Sequence, residues 1–470
     1  MIIKSYFKTL LIGVVLMLSS NLQSQVLVNS IKELVPYLDD DNVHVKMAPG
    51  VYNITAEDVK KGMYPKESNI KRICKVLLLF EGNNSTYDFT GVTINVETAV
   101  FRSFGNFRVN EIQILGNNNV LKNLTLVDVG SVHDGPTVGA LNLCMDGREN
   151  RIEGFHVTAK GSFPYGYGDA FGKGGNSVIN HQKHSACLIR GESNHLKNST
   201  FIHRSYGHCI FMQAANNPLI EGCYVEGEVR KTDDMLAEEG TGSPADKVGF
   251  KTVWGYKLPK GYMMSTGEAG IRAYNAGETY IDGEFFRRGT SNPTVINCTV
   301  KYMRTGVTIA HATGKKYVEN CTAMGCENGF SLGSGEVVGC RADVTHGPAY
   351  SSTYSSDVAY NADITIISSK EPYCNGSGSV AYIGGSKHKI TLRGSNQGVE
   401  HGLKIKVGGD KNNIRLLQGN LPNQNNFKGW DFEINNLTNF PLFLSEKSSG
   451  VKGQSLGLIS DLGNQNKVKK

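Results

Sequence analysis

No HExxH helix, no CxxC pair, no EF-hand loop and no long block of like charge occurs in this chain. Transition-metal chemistry therefore has no linear signature, while calcium remains open as a cofactor because its oxygen ligands can come from separate loops. Tryptophan occurs only twice and proline 13 times in 470 residues, against 55 glycines. That balance excludes collagen-like and disordered classes and suits short strands joined by tight turns. The formal charge of +6 also loses weight on inspection. Lys4 and Lys8 sit in an N-terminal leader, and Lys467, Lys469 and Lys470 in a C-terminal tail. The body is nearly neutral and carries no footprint for nucleic acid.

Long apolar runs are missing as well, with one exception. In MIIKSYFKTLLIGVVLMLSSNLQSQ two lysines precede an apolar run from Leu10 to Leu18, followed by small and polar residues. This pattern reads as a secretory signal over residues 1–24, cleaved near Ser24. The run is short for a membrane span, and no cysteine follows it closely enough for a lipid anchor. A secreted or periplasmic monomer without a membrane span is expected.

What the chain does have is a repeat. LKNLTL at 121–126, RIEGFHV at 151–157, LKNSTF at 196–201, LIEGCYV at 219–225, VINCTV at 295–300, YVENCTA at 317–323 and VVGCRAD at 337–343 share one template. An apolar residue and a variable one lead to Asn or Gly, and an alternating strand then begins. Asn123, Gly154, Asn198, Gly222, Asn297, Asn320 and Gly339 are the residue types that best tolerate left-handed backbone, so each predicts a turn. Cys223, Cys298, Cys321 and Cys340 follow that turn directly and are expected to stack as free thiols in an apolar column. A second strand recurs downstream, in GALNLCMDG, SACLIRGES, GHCIFMQAA, TGVTIAHAT and NGFSLGSGE. Asn198 to Gly222 spans 24 residues and Asn297 to Asn320 spans 23. A period in the low twenties without a helical pattern predicts a β-solenoid.

On these repeats, and on PGVYNI at 49–54, the chain resembles the right-handed parallel β-helix of the pectate-lyase-like superfamily. The resemblance implies an all-β solenoid, with SIKELVPYL at 30–38 as a short N-terminal capping helix begun by Ser30 and Glu33. It carries no residue roles, because the catalytic signatures of pectate lyases, polygalacturonases and the alginate lyase and chondroitinase B family are absent, and the fold hosts many activities. One domain is expected over 25–460, with a polar basic tail at 461–470. Between Gly222 and Asn297 the period stretches to 75 residues, which marks an insertion at about 229–290. Trp254 and Tyr256 within it are candidates for stacking on sugar rings.

Aligning the downstream strands puts Leu141, Cys187, Cys209, Ile271, Val307 and Phe330 in one inward column. Leu143, Ile189, Phe211, Ala273, Ile309 and Leu332 form a second. Outward positions are small or apolar except in three adjacent coils, where His208, Arg190, Arg272 and Tyr274 fall together. Such a cluster suits β-elimination on an acidic, uronic-acid polysaccharide. Arg272 and Arg190 would neutralise the carboxylate, His208 would take the C5 proton, and Tyr274 or Tyr206 would protonate the leaving O4. His184 and Arg304 join Trp254 and Tyr256 as substrate-binding candidates. A glycoside hydrolase using paired carboxylates among Asp169, Asp233, Asp234, Glu238, Glu239 and Glu268 is the second reading. A non-catalytic glycan-binding solenoid is the third.

Overall fold

The seven repeated Asn/Gly positions all adopt left-handed backbone, with φ between 48° at Asn198 and 68° at Gly154. In this computed structural model, which describes residues 25–64, 66–68, 74–172, 177–352, 354–410 and 426–470, six of these turns set a short strand on either side, and Gly339 lies within the strand Gly335–Ala342. The secretory signal expected over residues 1–24 lies outside the described residues. Strands from successive coils then pair in parallel, and Leu121, Ile152, Leu196, Ile220, Val295, Val318 and Val337 form one continuous inward ladder. Each of these side chains is at most 1% exposed. The result is a right-handed parallel β-helix with long sheets of 23 and 14 strands.

Turn chemistry and packing are coupled. Asn198 Oδ1 stands 2.3 Å from where a Cβ on Gly222 would lie, and Asn123 Oδ1 2.4 Å from that point on Gly154. Asn and Gly therefore stack on each other for steric reasons as well as for φ. Gly222→Ala is expected to cost about 1–3 kcal/mol in a urea melt from backbone strain together with this clash. Gly240→Ala, also at positive φ but with nothing within 4 Å, should cost less and so isolates the clash.

The cysteine column holds. Cys223, Cys298, Cys321 and Cys340 are buried and free, and each thiol donates to the carbonyl two residues earlier, from Glu221, Ile296, Glu319 and Val338 respectively. The helix Ile31–Leu34 caps the solenoid, with Ser30 Oγ accepting the Glu33 N–H. At the other end the expected polar tail is ordered: Lys467–Lys469 pairs in parallel with Lys452–Gln454 as a last coil.

Eight strands carry the regions of functional interest. They are β1 (Arg108–Ile114), β2 (Thr125–Val129), β3 (Ala140–Met145), β4 (His184–Glu192), β5 (Thr200–Arg204), β6 (Ile210–Asn216), β7 (Ala269–Ala273) and β8 (Thr305–Thr308). β7 lies inside the insertion yet joins the 14-stranded sheet between β6 and β8. The remaining insertion, together with loop residues 161–172 and 177–182, builds a second core from Phe171, Ile179, Met235, Phe250, Leu258 and Met264.

The register differs from the predicted columns. Leu143, Cys187, Ile210, Ile271, Val307 and Phe330 are the true partners, so β3 is displaced by two residues and β6 by one. The physical reason is that these strands are apolar on both faces. Leu141, Cys144, Leu188 and Phe211 form an outer apolar cluster with Tyr274, and alternation alone could not distinguish it from the interior.

Candidate functional site

Coil stacking brings three distant segments to one point. The Glu268 N–H donates to the Gly207 carbonyl at 2.8 Å and the Arg304 N–H to the Glu268 carbonyl at 3.0 Å. These bonds set the turn before β6, the start of β7 and the turn before β8 side by side. At their centre Glu268 Oε1 is 3.0 Å from Lys183 Nζ and 3.8 Å from Arg304, while Oε2 is 3.4 Å from His208 Nε2. Asp169, on the short helix Asp169–Gly172, binds Arg304 at 2.8 Å. Asp169, His208, Glu268 and Arg304 are buried, whereas the Lys183 side chain is 42% exposed and Arg272 and Tyr274 are half-buried.

Electrostatics assign the protons. Burial, reinforced by Arg272, Arg304 and Lys183, pushes His208 down to about 3 in spite of Glu268, so it is neutral at neutral pH. Its Nδ1 accepts the Ala269 N–H at 3.1 Å; the proton of the neutral ring is consequently on Nε2, directed at Tyr274 Oη 2.5 Å away. No ring lone pair is left for a substrate proton. Burial would raise Glu268, but the cations Lys183 and Arg304 hold it below the usual carboxylate range. Tyr274 is raised by burial, with Arg272, 4.5 Å above its ring, opposing. Its phenol is therefore protonated, and because Oη accepts from His208 its own hydrogen is left for another acceptor.

Of the other sequence candidates, Tyr206 adjoins this cluster, its ring 4.9 Å from Lys183 Nζ, and the rest lie elsewhere. Arg190 is buried against Asp146, with Nε 2.8 Å from Oδ1 and a second nitrogen 3.0 Å from Oδ2; Thr279 and the Glu278 carbonyl bond to the same pair. Arg190 thus anchors the hairpin Glu278–Ile281/Glu284–Arg287 instead of facing His208. The Tyr206 hydroxyl is buried between the Gly172 carbonyl, at 3.0 Å, and Asp169. His184 points into the solenoid, edge-on to Phe101, where no polysaccharide reaches it. Trp254 and Tyr256 stack on one another, 6.0 Å apart and 9° from parallel, with Trp254 against the insertion core. The more open aromatic pair, missed in the sequence, is Tyr280 and Phe285 on the hairpin, 37% and 52% exposed. Lys183, which the sequence does not single out, reaches the centre of the site through its contact with Glu268, a placement that only the fold reveals.

Among the described residues one cluster has metal-ligand composition, Glu111, Asp128 and His184, and it lies in the interior. Of the acidic loop residues, Asp233 accepts the Gly261 N–H, Glu238 binds Tyr167 and Arg230, and Glu239 binds Lys257.

Buried imidazoles also give a pH dependence of stability. His203, interior on β5, is held at about 3 by burial, His184 and Arg204, below its unfolded value of about 6.5. The unfolded chain therefore takes up the proton first, and stability is lost as pH falls from about 6.5 towards 3. His203→Gln should flatten that fall in urea midpoints measured across this window.

No family model matches this chain, and no curated protein does. Solved structures similar to it include a PL6 alginate lyase in complex with trisaccharide, 12% identical, covering 94% of this chain and 87% of that one, with a TM-score of 0.49. A mannuronic acid specific polysaccharide family 6 lyase from human gut microbiota is 11% identical, covers 94% and 82%, and has a TM-score of 0.42. The catalytic domain of a GH87 α-1,3-glucanase is 11% identical, covers 96% and 69%, and has a TM-score of 0.42. At this level the likeness transfers no residue roles, and the site stands on its own geometry.

Proposed function

We propose that this protein is a polysaccharide lyase that cleaves a uronic-acid-containing glycan by β-elimination. The observation that carries this reading is the half-buried Tyr274 hydroxyl, which accepts from a neutral His208 beside the guanidinium of Arg272. Arg272 and the exposed ammonium of Lys183 receive the uronate carboxylate and neutralise it, which acidifies the C5 proton and stabilises the enolate that forms. Tyr274 is the proton-transfer group. Its phenolate, supported by the His208 Nε2–H and by Arg272, takes the C5 proton and returns it to the departing O4. His208 is then a positioning group and not the base expected from the sequence, while Glu268 orients Lys183 and His208.

One group serving both steps requires H5 and O4 on the same ring face. Mannuronate and glucuronate meet this condition; guluronate and galacturonate do not. Purified protein should therefore release products with the ultraviolet absorbance of an unsaturated uronide, together with new reducing ends, from polymannuronate or a glucuronate-containing glycan and not from pectate. Reducing ends alone would mean hydrolysis and overturn the proposal. The hydrolase reading is weakened by charge: Glu268 is held ionised among cations, and a glycosidase needs one carboxyl that keeps its proton.

A further inference from the structure

We infer that the interior of the solenoid, apart from the proposed active site, binds one divalent transition-metal ion of the zinc or manganese class between Glu111, Asp128, Asn142 and His184. Glu111 and Asn142 are neighbours in the β1–β3 register, His184 opens β4 opposite Ala140, and Asp128 faces them from β2 in the other long sheet. None of the four is more than 1% exposed. One donor atom each from Glu111, Asp128 and His184 lies within 4.8 Å of the others.

The hydrogen bonds of this group account for only half of its capacity. Asn142 Nδ2 donates to Glu111 at 2.8 Å and to Asp128 at 3.0 Å, and the Lys160 N–H donates to Asp128 Oδ2 at 2.8 Å. Glu111 Oε2, Asp128 Oδ1, Asn142 Oδ1 and His184 Nε2 are buried without a hydrogen-bond partner. These are three oxygens and one nitrogen, all able to offer lone pairs. His184 is set for ligation: its Nδ1–H donates to the Lys160 carbonyl at 3.0 Å, which leaves the Nε2 lone pair free, the arrangement that orients metal-bound imidazole. Two carboxylates in an apolar core are costly without a counter-charge: burial and Asp128 push Glu111 well above the usual carboxylate range, and a divalent cation would neutralise both while leaving Asn142 and His184 neutral. An imidazole in the donor set favours zinc or manganese over calcium. Because the ligands come from both long sheets, the ion would tie them together and fix the first residue of β4, beside Lys183.

Metal content of the purified protein after dialysis against EDTA should be about one equivalent of zinc or manganese per chain. Protein unfolded in denaturant with chelator and refolded metal-free should melt at a lower temperature, with the loss restored by zinc or manganese added alone and not by calcium. Glu111→Gln and Asp128→Asn should abolish retention. Metal below about a tenth of an equivalent, with a melting temperature indifferent to added zinc or manganese, would overturn the inference. So would a Glu111→Gln variant as stable as the native chain, which would identify a proton shared by the two carboxyls as the occupant. Stoichiometric calcium would overturn the assigned class. The native protein's metal content decides the matter even if the variants fail to fold.

Discussion

Tyr274→Phe is expected to lower the rate of unsaturated-product formation by about 10²–10⁴-fold, the range of a lost acid–base group, with little change in KM. The substitution removes one hydroxyl and keeps the ring that meets His208 and Phe211 at centroid distances of 5.6 and 6.4 Å. Its effect should therefore appear in kcat while the circular dichroism spectrum stays unchanged. The pH profile tests the same role. Burial raises the Tyr274 phenol above its usual value, so the phenolate that accepts the C5 proton is a minor species at neutral pH, and kcat/KM should climb through the alkaline range. His208→Gln should lower kcat less than Tyr274→Phe and change that profile, because His208 acts through the phenol. Full activity in the phenylalanine variant would remove Tyr274 from the chemistry and move the proton transfer to Lys183.

Asp146→Ala is expected to destabilise the fold by about 3–5 kcal/mol, the cost of leaving a buried charge without its partner. Asp146 accepts from Gln113, Cys144, Arg190 and Thr279. Its loss would strand the guanidinium of Arg190, a residue only 8% exposed, and release the hairpin that carries Tyr280 and Phe285. The Asp146→Leu/Arg190→Met double variant should recover most of the stability, since two apolar side chains of similar size replace the pair without an orphaned charge. Urea unfolding of the three proteins checks both statements. Any activity lost in the double variant then reports the hairpin and not the ion pair.

The repeated turn was the most legible feature because its cause is local. Left-handed φ favours Asn and Gly at every coil, whatever surrounds them, and all seven positions matched. The cysteine column was legible for a similar reason, since each thiol lies two residues beyond the carbonyl it bonds. Strand register was only partly legible, because Leu141 and Phe211 are apolar but face the outer cluster. His208, Arg272 and Tyr274 were brought together as expected. Arg190 and His184 were misplaced because sequence gives their residue type but not the carboxylates that draw them inward, Asp146 in one case and Asp128 with Glu111 in the other.

Residues close together in the chain and repeated coil after coil therefore suffice for the β-solenoid and its turns. Tertiary structure alone decided the protonation and partners of the site. Glu268 meets Lys183 across 85 residues of chain and Arg304 across 36, and the state of His208 follows from a backbone N–H 61 residues away. Hydrogen bonds and charges act through space, and in a solenoid each coil returns the chain to the same point only after a loop whose length the repeat does not fix.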